Sequence, residues 1–168
     1  MAPLPMYAGD VAERRGAQVH RYSWSERPAM GLGPQIVDWV RGEVTTALDG
    51  VDGSPLLIGK SLGTLAATVA ADRSLPAVWL TPLLNESWAV DAYARASAPF
   101  LLVGGTGDPY WDGAVARRLS PHVLEVEGAN HGMYVPGPLT DSIAVLGQIV
   151  VAVEAFLSAI RWPDRLPA

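Results

Sequence analysis

Short apolar runs that alternate with helix-like stretches constrain the fold of this chain more than any other feature. Strand-like runs fall at Pro55–Ile58, Ala77–Leu80, Phe100–Val103 and Val123–Val126, and an alternating run at Gln18–Trp24 adds a fifth. Helical patterns are expected over about Pro5–Arg15, Gln35–Leu48, Thr64–Ala71, Ser87–Ala96, Asp112–Leu119 and Ile143–Ile160. A run of four apolar residues has no polar face to offer water, so helices should cover the sheet on both sides. Strand, helix, strand in succession requires crossover connections, and these make the strands parallel. The expected fold class is α/β, with three layers (α/β/α) and a mostly parallel sheet of about five strands.

Composition narrows the class further. With 168 residues, 49% of them hydrophobic, the chain can bury one good core, so residues 1–168 are expected to form a single domain with a frayed tail at 163–168. There is no cysteine, which removes disulfide frameworks, thiolate zinc sites and a cysteine nucleophile together. No metal or cofactor is expected. A net charge of −5 argues against a nucleic-acid partner, and the pairs Arg14-Arg15 and Arg117-Arg118 read as solvated helix faces. The long apolar stretch Ile143–Ile160 is broken by Gly147, Gln148, Glu154 and Ser158 and reads as a packed terminal helix, so no membrane partner is expected. Met1–Asp10 lacks the basic residues and apolar core of a signal peptide, which predicts a cytoplasmic protein.

Chemistry is concentrated where the strand runs end. Gly59-Lys60-Ser61-Leu62-Gly63 joins the Pro55–Ile58 run to the alanine-rich stretch, a G-x-S-x-G pattern on a strand-to-helix turn. So tight a turn strains the serine backbone and holds its hydroxyl up at the strand end, while glycines on either side remove colliding side chains. A glycine turn with a helix-capping serine would show the same five residues. A phosphate loop is the other alternative, since Gly59-Lys60-Ser61 ends a G-x-x-x-x-G-K-[ST] pattern. That pattern fails because Ser54 occupies the first glycine position and the would-be loop reads as a strand. Lys60, the only lysine, is then an exposed neighbour of the serine.

The Phe100–Val103 run ends in Gly104-Gly105-Thr106-Gly107-Asp108, and Val123–Val126 ends in Gly128-Ala129-Asn130-His131-Gly132. In a parallel sheet the carboxyl ends of the strands share one edge, so Ser61, Asp108 and His131 should converge there. Asp112 competes for the acid role, and His20 and His122 are weaker candidates than His131.

In this order of motifs the chain resembles the α/β-hydrolase superfamily, in particular small bacterial serine hydrolases that lack a cap. The resemblance implies that Ser61 is the nucleophile, His131 the general base and acid, Asp108 the carboxylate that orients it, and the Leu62 N–H an oxyanion donor. It implies hydrolysis of a small ester or thioester through an acyl-enzyme, with a small-molecule acyl substrate and unknown oligomeric state. A catalytically impaired binding module and an acyltransferase on the same residues are the alternatives.

Only Thr81–Trp88 separates one strand from the next helix where relatives insert a cap, so no cap domain and a shallow site are expected. Its walls are expected among Lys60, Trp24, Leu83, Leu84, Trp88, Tyr110, Trp111, Met133 and Tyr134. In the superfamily a strand bearing the second oxyanion donor precedes the helix placed here at Pro5–Arg15. Met1–Met6 hold no such run, so the N-terminal strands and oxyanion loop are expected to be missing, leaving a gap beside the Pro55–Ile58 strand.

Overall fold

The computed structural model describes residues 3–24, 29 and 31–163. The tail expected from residue 163 onward lies outside them beyond its first residue. Four strands, β1 (Leu57–Lys60), β2 (Ala77–Leu80), β3 (Phe100–Gly105) and β4 (His122–Val126), pair in sequence order, and every pairing is parallel. Six α-helices intervene or flank: α1 (Pro3–Arg14), α2 (Pro34–Ala47), α3 (Ala67–Arg73), α4 (Ser87–Ala94), α5 (Gly113–Leu119) and α6 (Leu139–Ala159).

Strand periodicity sorts the core into two sheets of contacts. Val78, Leu80, Leu101 and Val103 point to one face and pack against α1 and α6 through Leu4, Ala8, Ile149 and Val153. Ala77, Trp79, Phe100 and Leu102 point to the other and meet Ile36, Val40, Ala70, Ala92 and Tyr93 of α2, α3 and α4. Both faces of β2 and β3 are buried throughout. The expected three-layer α/β/α arrangement is the one observed. α6 has the length and hydropathy of a membrane span, and Val145, Ile149, Val153, Phe156 and Leu157 seat one stripe of it on the sheet.

Three expectations need correction. Among the described residues the sheet has four strands, because Gln18–Trp24 joins no ladder. Alternating residues there are held by side chains: Arg21 pairs with Asp10 of α1 at 3.0 Å, Tyr22 donates to Glu43 of α2 at 2.8 Å, and Trp24 stacks on Trp39 of α2. The segment thus passes from the α1 layer to the α2 layer, and its alternation reflects contacts to two helices. The helix after β1 starts later than its alanine-rich pattern suggests, since Ser61–Ala66 is a 3₁₀ turn and only Ala67 onward is α. The last helix begins at Leu139, four residues before the expected start.

Candidate active site

Ser61 follows β1 directly, and its backbone is bent into the left-handed region at φ 51° between an extended Lys60 and the 3₁₀ turn. Such a conformation costs a non-glycine residue about 1–3 kcal/mol and persists only where the surroundings enforce it. Gly59 is one enforcing element. A Cβ there would overlap the Gly63 carbonyl oxygen and sit 2.7 Å from its carbonyl carbon and 3.0 Å from Trp79 Cζ3. Gly63 is less crowded: among the described residues its Cβ would meet only Trp24 Cζ2 at 3.7 Å, so Gly59 is the glycine these residues require. From the α2 side, Thr64 Oγ1 donates to the Ser61 carbonyl at 2.7 Å and the Tyr93 hydroxyl donates to the Thr64 carbonyl at 3.2 Å. Tyr93 is fully buried, and burial pushes its phenol far above the ordinary range.

The ends of β3 and β4 are fastened together. Gly107 N–H donates to the Ala129 carbonyl at 3.0 Å and Gly128 N–H to Thr106 Oγ1 at 2.7 Å. Gly105 permits this approach, since a Cβ there would collide with the Ala129 carbonyl. The Asp108 side chain is wholly buried, with Oδ1 accepting from Tyr110 N–H at 3.0 Å. His131 is fixed by Asn130, whose side-chain oxygen accepts from Gly132 N–H at 2.8 Å and Tyr134 N–H at 3.1 Å.

This framework brings three side chains into one line. His131 Nδ1 is 2.7 Å from Asp108 Oδ2, and His131 Nε2 is 2.8 Å from Ser61 Oγ. A carboxylate oxygen only accepts, so Nδ1 carries the proton and the Nε2 lone pair faces the serine hydroxyl. The Leu62 N–H lies in the first helical turn, where no intrahelical acceptor is available to it.

No protein-family profile matches the sequence, and no curated protein is similar to it in sequence. Solved structures do match. An α/β serine hydrolase homologue from Coxiella burnetii superposes with TM-score 0.66 at 18% identity, covering 89% of this chain and 76% of that one. A lid-less α/β serine hydrolase from Xanthomonas campestris gives TM-score 0.62 at 15% identity, covering 100% and 76%. An esterase domain from a Rhodothermus marinus protein gives 0.61 at 16% identity, covering 95% and 80%. The chain has the α/β-hydrolase fold.

The other expected site residues divide within this α/β-hydrolase fold. Tyr110 stands edge-on to the His131 ring, 5.4 Å between centroids, and Met133 and Tyr134 follow His131. Lys60 is half-buried beside Ser61; burial lowers its pKa from the ordinary 10.5, with the Asp108 charge partly opposing the shift. Trp24 touches the Gly63 side of the turn. Leu83 and Leu84 are buried in the core between the sheet and α2–α4. Trp88 donates to Glu86 and lines a cleft between α2 and α4, and Trp111 packs over Gly104 while donating to Glu125. Asp112 is no rival acid: it caps α5, accepting from Val115 N–H at 2.9 Å. His20 is exposed, and His122 sits in β4 against Phe156.

Thr81 was not foreseen. It follows β2 at φ 49°, is fully buried, and its Oγ1 has no hydrogen-bond partner among the described residues. With Ser61 and Met133 (φ 64°) it makes three strained non-glycine residues at the strand-end edge, the clustering typical of functional sites. Nothing in a Leu-Thr-Pro tripeptide announces a left-handed threonine. Among the described residues no three His, Asp or Glu side chains cluster as a metal site would need.

Proposed function

We propose that the protein is a serine hydrolase that cleaves small esters or thioesters through an acyl-enzyme. The observation that carries this reading is the continuous hydrogen-bonded line from Asp108 through His131 to a serine held at a left-handed turn. His131 Nε2 takes the Ser61 proton as Oγ attacks the acyl carbon, and Asp108 stabilises the imidazolium. The Leu62 N–H donates to the oxyanion of the tetrahedral intermediate. Collapse expels the alcohol or thiol, which takes its proton from His131. Water, deprotonated by His131, then attacks the acyl-serine, and a second collapse returns the proton to Ser61 and frees the acid. The reading needs no cofactor, and the connection from β2 (ending at Leu80) to α4 (starting at Ser87) is too short to hold a cap domain.

An active-site-directed fluorophosphonate should label wild-type protein and leave Ser61→Ala unlabelled, with p-nitrophenyl acetate turnover falling several orders of magnitude in the variant. Undiminished turnover in Ser61→Ala, or no labelling of folded wild type, would refute the reading.

A further inference from the structure

An apolar groove borders the loop that carries His131. Leu4 of α1, Met133, Tyr134, and Leu139, Ile143 and Leu146 of α6 are its main walls, enclosing about 190 Å³. None of its described lining residues carries a charge, and the Ser142 hydroxyl oxygen accepts from the Val135 N–H at 3.1 Å. Apolar side chains thus dominate the described lining. Leu139 and Ile143 are 65% and 59% exposed and lie off the face that seats α6 on the sheet. The sheet therefore does not account for them, and an apolar occupant would gain by covering them.

The groove shares its floor with the loop that follows His131. Met133 is its buried floor, 3% exposed, and reaches that position through the strained φ of 64° imposed where its N–H donates to the Asn130 carbonyl at 2.8 Å. Gly132, the residue after His131, also borders the groove. A chain seated there has one end at the loop whose histidine stands 2.8 Å from Ser61 Oγ.

We propose that this groove is the acyl-chain subsite of the serine centre, and that the preferred substrates are esters or thioesters of short unbranched acyl chains rather than acetyl esters. The assignment rests on the hydrolase reading for its chemistry, but the groove can be tested apart from turnover. Methyl hexanoate added to Ser61→Ala should shift the amide resonances of Met133, Tyr134, Ile143 and Leu146. In wild type, a fully buried methylene gives about fourfold in kcat/KM. Acetate to hexanoate adds four, and with about half that surface buried in an open groove the p-nitrophenyl hexanoate to acetate ratio should be about 15. Ile143→Glu, at an exposed position, should bring the ratio towards one.

No groove shifts with methyl hexanoate would overturn the proposal whatever the turnover. So would a ratio near one in an enzyme that hydrolyses acetate, an unchanged ratio in Ile143→Glu, or groove shifts that follow protein concentration, which would mark a contact between copies. Groove shifts without turnover or labelling would instead overturn the hydrolase reading, and the acyl-subsite assignment with it.

Discussion

Replacing Gly59 by alanine should damage both the fold and the reactivity of Ser61, while Gly63→Ala should leave both nearly intact. At Gly59 the added Cβ would sit 2.7 Å from the Gly63 carbonyl carbon, where carbon atoms prefer about 3.5 Å or more, so the turn must open by about 0.8 Å. The opposing atoms are backbone, and Trp79 behind them is 1% exposed, so neither yields cheaply. Overpacking of this kind costs about 1–3 kcal/mol. For a chain of this size each kcal/mol lowers Tm by about 2–4 °C, which gives a fall of about 2–12 °C. The same displacement moves Ser61 against His131, and a misplacement of about 1 Å costs about 100-fold in rate. At Gly63 the Cβ would make an ordinary contact at 3.7 Å, and alanine suits a helical turn better than glycine by about 0.5–1 kcal/mol. Thermal unfolding and p-nitrophenyl acetate kcat/KM of the two variants, measured side by side, decide the matter. A Gly59→Ala protein with wild-type Tm and rate, or a Gly63→Ala protein equally damaged, would refute the account of the turn.

Asp108→Asn should lower kcat by about 10⁴-fold by disturbing the His131 tautomer, whereas Asp112→Asn keeps a good helix cap and should change kcat less than twofold; steady-state kinetics giving the reverse ranking would move the acid. Lys60→Met should be more stable than wild type at pH 7, because burial holds the folded-state pKa of Lys60 below 10.5 and its charged form opposes folding. The unfolded chain binds more protons in that window, so wild-type stability rises as pH climbs towards 10.5 and the variant's advantage should shrink. Urea unfolding across pH 7 to 10 that shows a constant or inverted difference would count against it.

Much of the molecule was legible along the chain because it depends on local periodicity. Ala77–Leu80 appears as β2 with the expected bounds, β3 and β4 differ only at their ends, and β1 is displaced by two residues, taking in Gly59 and Lys60 of the expected turn. Four-residue apolar runs that alternate with helical stretches are buried on both faces in a helix-covered parallel sheet, so local sequence carried the architecture. Ser61, Asp108 and His131 were legible for a related reason: each follows a strand, and parallel strands bring their carboxyl ends to one edge.

Tertiary structure alone decided the rest. Gln18–Trp24 alternates as a strand would, but which partner answers the alternation is a long-range matter, and Asp10, Trp39 and Glu43 answer it instead of a neighbouring strand. Asp108 and Asp112 sit on one short loop, and only the packing of that loop sends one to His131 and the other back onto α5. The crowding at Gly59, the strain at Thr81 and the apolar groove beside Met133 arise where segments remote in sequence converge. Local propensity carries no record of such meetings; they exist only once the helices have closed on the sheet.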